Sequence, residues 1–517
     1  MKTSLPLWEN PEIQEINRLP MRSILLPFPS SKEAIIEAIA GPQFCNYESN
    51  PFYKSLDGVW QFKLLDNPAL DLPAEGDNYS PGSTRKADKA SENNLPYWIN
   101  KDFNPASWAS INVPGAWARQ GGDLGSDGKP NFENTFDMPH YTNVQMPFQA
   151  VPPLPPEKNP TGLYRRSFTI PSEWKGRRVV LNIGSAESVA LIYINGMFFG
   201  MAKDTRLPSE FDITDYLIEG ENLLCIKVVR YSDASYIEDQ DQWWLGGIHR
   251  SVFLYSTTDA YFKDIKAIPG KYIKGENGKI TGNLQLEFTV EGNVPEARAM
   301  GHTGVTMSEN ESPFIIKYNV YPYNLAHNRE DAEKTASSLT GGKALLSGEL
   351  EHQCNLRRNS NKANTTLILE DAKLWSHEDP SLYIISADLY RDGKHLESTA
   401  FLSGFRNVEV KGRELLINGK AVLIKGVNRH EHDEKTGKTL STEAMVKDIQ
   451  LLKEHNFNAV RTSHYPDDER WYDLCDRYGI YLVDEANIEH HCFYSQLCAD
   501  SRWLNAYMSR IQRMVER

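Results

Sequence analysis

Three apolar runs, each followed by a helical pattern, constrain the fold of this chain most: "AVLIKGVNRH" (421–430), "FNAVRTSH" (457–464) and "GIYLVDEANIE" (479–489). The first helix is read from Met445, Ile449 and Leu452 behind Ser441 as N-cap, and the second from Trp471, Leu474, Cys475 and Tyr478, closed by Gly479. The third is read from Leu504, Tyr507, Met508, Ile511 and Val515. Strands that are nearly continuously apolar and alternate with helices imply a parallel sheet, either a barrel or a doubly wound fold.

Each run turns polar at its carboxyl end: Asn428, Arg429 and His430; then Arg461 and His464; then Asn487, Glu489 and His491. Parallel α/β folds build their sites at that edge, where loops vary over a packed scaffold. If the third strand stays extended, period-two geometry puts Glu485, Asn487, Glu489 and His491 on one side, so carboxylates and imidazoles converge. Two other readings are weaker. His430-Glu431-His432 offers imidazoles for a transition metal, but adjacent residues point apart. Ser463-His464 has no nucleophile elbow around the serine.

Upstream, residues 1–50 are rich in Pro and polar residues and read as an arm that packs on other elements. Short β runs with turn signals fill 51–258, among them "GVWQFKLL", "VVLNIGS" and "ALIYINGMFFG" with its Asn-Gly turn, which argues an all-β sandwich. The polar stretch 75–94 reads as a surface insertion. A second β region, 259–405, reads as an immunoglobulin-like sandwich, and 406–517 holds the three βα units. In "YIEDQDQWW", Asp241 looks like an exposed acidic turn beside a hydrophobic strand, and Trp243 and Trp244 like fillers of a domain interface.

The formal net charge of -13 argues against nucleic acid and anionic membrane as main partners, because binding them relies on an excess of Lys and Arg. Cysteines at 45, 225, 354, 475, 492 and 498 show no paired short spacing, so a reducing cytosol is expected and a disulfide framework is not. "MKTSLPLWENPEIQ" lacks the basic and apolar regions of a signal peptide, which fits a cytoplasmic location.

At "GVNRHEHDEKTG", "FNAVRTSHYP" and "WYDLCDRYGIYLVDEANIEHH" the chain resembles the β-galactosidases of glycoside hydrolase family 2. The likeness continues through "SLDGVWQF", "NPTGLYRRSF", "RLPSEFD" and "YIEDQDQWW", in order. "DEANIE" resembles β-galactosidases more than β-glucuronidases. The resemblance implies a jelly-roll sugar-binding-like domain, an immunoglobulin-like domain and a TIM (β/α)8 barrel, here incomplete. It implies hydrolysis of terminal β-D-galactose from lactose-like substrates by a homo-oligomeric enzyme. Among site residues it implies that Glu489 and His491 ligate magnesium, that His430 and His464 grip the galactosyl ring, and that Asn143 and Asp241 touch substrate, Asp241 also touching sodium. Arg461 is expected to orient the nucleophilic carboxylate, with an internal ion pair as the alternative. A second magnesium is implied at the arm, where Asn10 and Asp233 match the family while Leu7 and Lys203 depart from it.

Retaining hydrolysis uses two carboxyl groups about 5–5.5 Å apart, as acid/base and as nucleophile. The resemblance sets both beyond Arg517, so this chain is expected to be inactive alone and to need a complementary segment. The other expectation, from a different class, is a non-catalytic carbohydrate-binding or complementing protein.

Overall fold

The computed structural model describes residues 5–71, 95–121, 135–149, 151–292, 313–352 and 362–517. The polar run 75–94 therefore lies outside the described residues. In Gly58–Leu65, Trp60 and Phe62 turn inward between exposed Val59, Gln61 and Lys63, the alternation of a half-buried strand. This strand belongs to a seven-stranded antiparallel sheet that also holds Thr161–Thr169, Glu221–Val229 and Val189–Ile194. A second sheet, built on Arg178–Glu187 and Gly247–Thr257, closes over it. Trp60, Phe62, Trp117, Tyr164, Leu181, Ile192 and Phe211 fill the space between the two in one buried cluster.

The second sandwich sets Ala260–Pro269, Ile280–Gly292 and Lys362–Glu370 against Phe314–Pro322, Tyr383–Arg391 and Lys394–Ser403, around Leu286, Phe288, Ile316 and Leu389. The arm serves both sandwiches. Glu15–Ile16 adds a strand beside Met201 and Ala202, and the helix Ser31–Phe44 lays Ile35 and Ile39 on Ile384, Ala332 and Ala336.

Past residue 405 the three runs form a parallel sheet of Gly426–Arg429, Ala459–Thr462 and Tyr481–Val483, with Asn428 beside Arg461 and Arg461 beside Val483. The helices Thr442–Glu454 and Glu469–Tyr478 cover one face with Met445, Ile449, Trp471, Leu474 and Cys475. Ser441 Oγ accepts the Ala444 amide at 3.2 Å, and Gly479 closes the second helix at φ 72°.

Val483 at the end of the third strand, and Leu423 (74% exposed) and Ile424 just before the first, are open to solvent. The third helix, Leu504–Glu516, buries Ala506, Arg510 and Arg513, while Leu504, Met508, Ile511 and Val515 form an exposed apolar stripe. Polar bonds orient this helix. Arg510 donates to Glu238 and Gln14, and Arg513 donates to the carbonyls of Leu19 and Pro208, so the arginine face is drawn onto the first sandwich and the arm. No helix among the described residues is long and apolar enough to cross a membrane.

Candidate active site

The third strand stops at Val483, short of the extension to His491 that the spacing suggests. Its polar tail is held by the first sandwich. Glu489–His490 pairs in parallel with Glu238–Asp239, and the Glu489 amide donates to Ile237 O at 2.8 Å. Just before this pair, Gln240 Nε2 donates to Asn487 Oδ1 at 2.9 Å and Asn487 Nδ2 donates to Asp204 Oδ1 at 3.0 Å, all in the buried interior. The carboxylates thus converge by long-range pairing and not by strand period.

At the second strand end, Arg461 forms an ion pair with Glu485 at 2.8 Å, which is the alternative its sequence left open. Glu485 Oε2 also lies 3.4 Å from His464 Nδ1. The rings of His464 and His430 meet edge to face with centroids 5.6 Å apart, and His430 Nδ1 is 3.3 Å from the Tyr465 hydroxyl. His430 keeps an open side to solvent. Desolvation by the protein around it, followed by the His464 field, lowers its pKa below the ordinary value, while Asp241 acts to raise it. Asp241 is therefore within electrostatic reach of His430 across the domain boundary.

Asp241 reaches that position at the start of a two-stranded antiparallel ribbon formed by Gln242–Trp244 and His140–Thr142. The Tyr141 hydroxyl donates to Asp241 Oδ1, and Trp243, 41% exposed, packs beside Tyr141. Trp244 is an interior residue whose Nε1 donates to Thr142. Asn143 is exposed and follows the Thr142–Gln242 pair, so the next step of the register faces Asp241.

Glu489 is partly buried. Burial raises its pKa, against the lowering fields of His464 and His491 and with the raising field of Glu485. His491 Nδ1, 3.7 Å from Glu489 Oε1, is buried and has no hydrogen-bond partner. A carboxylate beside a bare ring nitrogen fits two positions around a cation. No group of three or more His, Cys, Asp or Glu that could hold a metal is found among the described residues.

Neither weaker reading of the sequence gains support. Glu431 is committed to Arg250 at 2.7 Å and accepts the Asp468 amide, which leaves no His-Glu-His ligand set. The Ser463 hydroxyl is buried and donates to Arg429 O. Arg429 itself serves the core, paired with Asp467 at 2.7 Å and lying over Trp471. Sequence reasoning missed Tyr141, Tyr465, Gln240 and Asp204; only spatial neighbours identify them. Glu485 carried the period-two signal without a role attached.

Residues 53–258 match the family model for the sugar binding domain of glycosyl hydrolases family 2, 305–406 match a further model of that family, and 408–517 match its TIM barrel domain. The β-galactosidase of Psychromonas ingrahamii is 34% identical over 513 residues, covering 99% of this chain and 42% of that protein. The β-galactosidase of Vibrio cholerae serotype O1 gives the same identity and coverage. The chain spans about two fifths of the length of these relatives. Among solved structures, a β-glucuronidase of Bifidobacterium dentium superposes with a TM-score of 0.63 at 22% identity, over 90% of this chain and 65% of that one. A β-glycosidase from Bacteroides vulgatus gives 0.60 at 20%, over 90% and 49%. These two likenesses concern the fold alone.

Proposed function

The chain belongs to glycosyl hydrolases family 2, and from that membership we propose that it carries the sugar-gripping part of a β-galactosidase site. In this reading His430 and His464 hold the galactosyl ring, and Asn143 and Asp241 contact it from the first sandwich. Glu489 and His491 would hold magnesium, and Asp241 would touch sodium. Magnesium, when bound, would supply positive charge that favours the deprotonated form of the groups that ligate it. The acid/base and nucleophile are assigned to barrel segments following the third βα unit, so residues 1–517 alone are expected to hydrolyse no β-galactoside.

One observation carries the reading: Asp241, on the first sandwich, lies within electrostatic reach of His430 at the barrel edge, where Glu238–Asp239 pairs with Glu489–His490. The charge pattern supports a neutral sugar. The fields of Asp241 on His430 and of Glu485 beside His464 are negative, and the cations nearby, Arg461, Arg206 and Lys438, are already paired with Glu485, Glu431 and Glu187. A glucuronate carboxylate would meet like charges there. The relatives named β-galactosidase, at 34% identity, point the same way.

Co-expressing residues 1–517 with the part of such a relative that follows the matched segment tests the reading. The pair should cleave a chromogenic β-galactoside far faster than the matching β-glucuronide, and should lose activity with His464→Ala. Preference for the glucuronide would overturn the substrate class. Soluble partners that never associate would overturn the divided-site reading.

A further inference from the structure

Lys203 carries a charge in a place where the barrel and the arm leave it no water. Its side chain is fully enclosed, as is that of Asp233, and Nζ donates to Asp233 Oδ1 at 2.6 Å and to Asn10 O at 2.8 Å. The other Asp233 oxygen has no hydrogen-bond partner. Lys203 is also held through its backbone, its amide bonding Gln14 O at 3.0 Å and its carbonyl accepting Arg18 Nη1 at 2.9 Å. The arm is therefore fastened to one residue, at Asn10 by the Lys203 ammonium and at Gln14 and Arg18 by its backbone.

A divalent ion at this point, which the family resemblance implies, does not fit these residues. Hard cations need several oxygen ligands. Leu7 supplies none, and the Lys203 ammonium, 2.6 Å from the carboxylate, stands where the ion would have to be. Two cations on one buried carboxylate repel each other.

Asp233 opens the short 3-10 helix Asp233–Tyr236, which Ser232 caps. The chain then runs directly into Ile237, Glu238, Asp239 and Asp241, the segment that pairs with Glu489–His490 and presents the site carboxylate. We propose that Lys203 is the built-in cation of this junction, seating the arm and fixing the start of the site segment with no bound metal. Lys203→Gln removes the competing ammonium and adds an amide oxygen to the Asp233 carboxylate and the Asn10 carbonyl, so that a divalent ion that keeps waters as its remaining ligands substitutes for the ammonium.

Amide hydrogen exchange of residues 5–18 and 233–241 tests this, with magnesium chloride or EDTA. A Glu489→Gln background keeps any magnesium effect at Glu489 and His491 out of the comparison. With Lys203 present, exchange in both segments should be the same under the two conditions. Lys203→Gln in EDTA should exchange about a hundredfold faster, as expected when one partner of a buried ion pair is removed, and magnesium should restore protection. Protection that rises with magnesium while Lys203 is present would overturn the proposal. So would a Lys203→Gln protein as protected in EDTA as its parent, or one that magnesium fails to restore. If the variant does not fold, the comparison with Lys203 present decides alone.

Discussion

Asn487→Ala should loosen the junction between the first sandwich and the barrel edge. The side chain is 1% exposed and joins Gln240 Nε2 at 2.9 Å to Asp204 Oδ1 at 3.0 Å. Truncation strands a buried amide donor and a buried carboxylate oxygen, and Asp204 Oδ2 already has no partner. At about 1–3 kcal/mol for each stranded group, a total of about 3 kcal/mol is expected. The Glu489 amide, which donates to Ile237 O two residues further on, reports this cost directly. Its hydrogen exchange should accelerate by roughly a hundredfold, since each 1.4 kcal/mol is about tenfold. Gln240→Ala should show a coupling of about 1 kcal/mol with Asn487→Ala in a double-mutant cycle. Glu489 exchange unchanged in Asn487→Ala, with additive single effects, would refute the claim that this amide chain holds the tail of the third strand.

Further outcomes follow from other buried groups. Arg510→Met should destabilise the contact of the third helix with the first sandwich by about 3–5 kcal/mol, because Glu238 is left buried without its cation; adding Glu238→Gln should recover part of the loss, read by limited proteolysis after residue 500. Burial pushes the Glu397 carboxyl up to about 7 from 4.5, with only the Phe262 amide on one oxygen. The native state therefore binds more protons than the unfolded state between those values, so this contribution is complete below pH 4.5 and is lost as pH rises through 7. Glu397→Gln keeps the acceptor for Phe262 and should flatten that slope in urea unfolding at pH 5 and 8, gaining about 3 kcal/mol at the higher pH. Ser441→Ala removes the N-cap of Thr442–Glu454 and should cost about 1 kcal/mol, visible as faster exchange at Ala444.

The βα units were legible in the sequence because the apolar period changes after residue 404 and the caps obey local chemistry: Ser441 and Gly479 stand where the helices begin and end. His430, His464, Glu489 and His491 were legible as a set because polar residues recur at successive strand ends. What was not legible depends on contacts remote in sequence. No local pattern encodes the pairing of Glu238 with Glu489, which ends the third strand at Val483 and replaces strand period as the cause of convergence. In the third helix, Leu504, Met508, Ile511 and Val515 gave a clean apolar face, yet Arg510 and Arg513 turn inward because the first sandwich and the arm present carboxylate and carbonyl acceptors. Lys203 was legible as a departure from the family, but its contacts with Asp233 and the Asn10 carbonyl are again remote in sequence.

The account rests on Asp241 and the barrel-edge histidines sharing one pocket, and an NMR titration of the histidine rings measures that directly. With 13 histidines, His430→Gln identifies the signal of His430. His430 should titrate below its ordinary value of 6.5, and Asp241→Asn should move it further down, because the carboxylate that favours the protonated ring is gone. A His430 curve identical in the two proteins would mean that the field of Asp241 does not reach the ring, and would contradict the assembly of this site from the two domains.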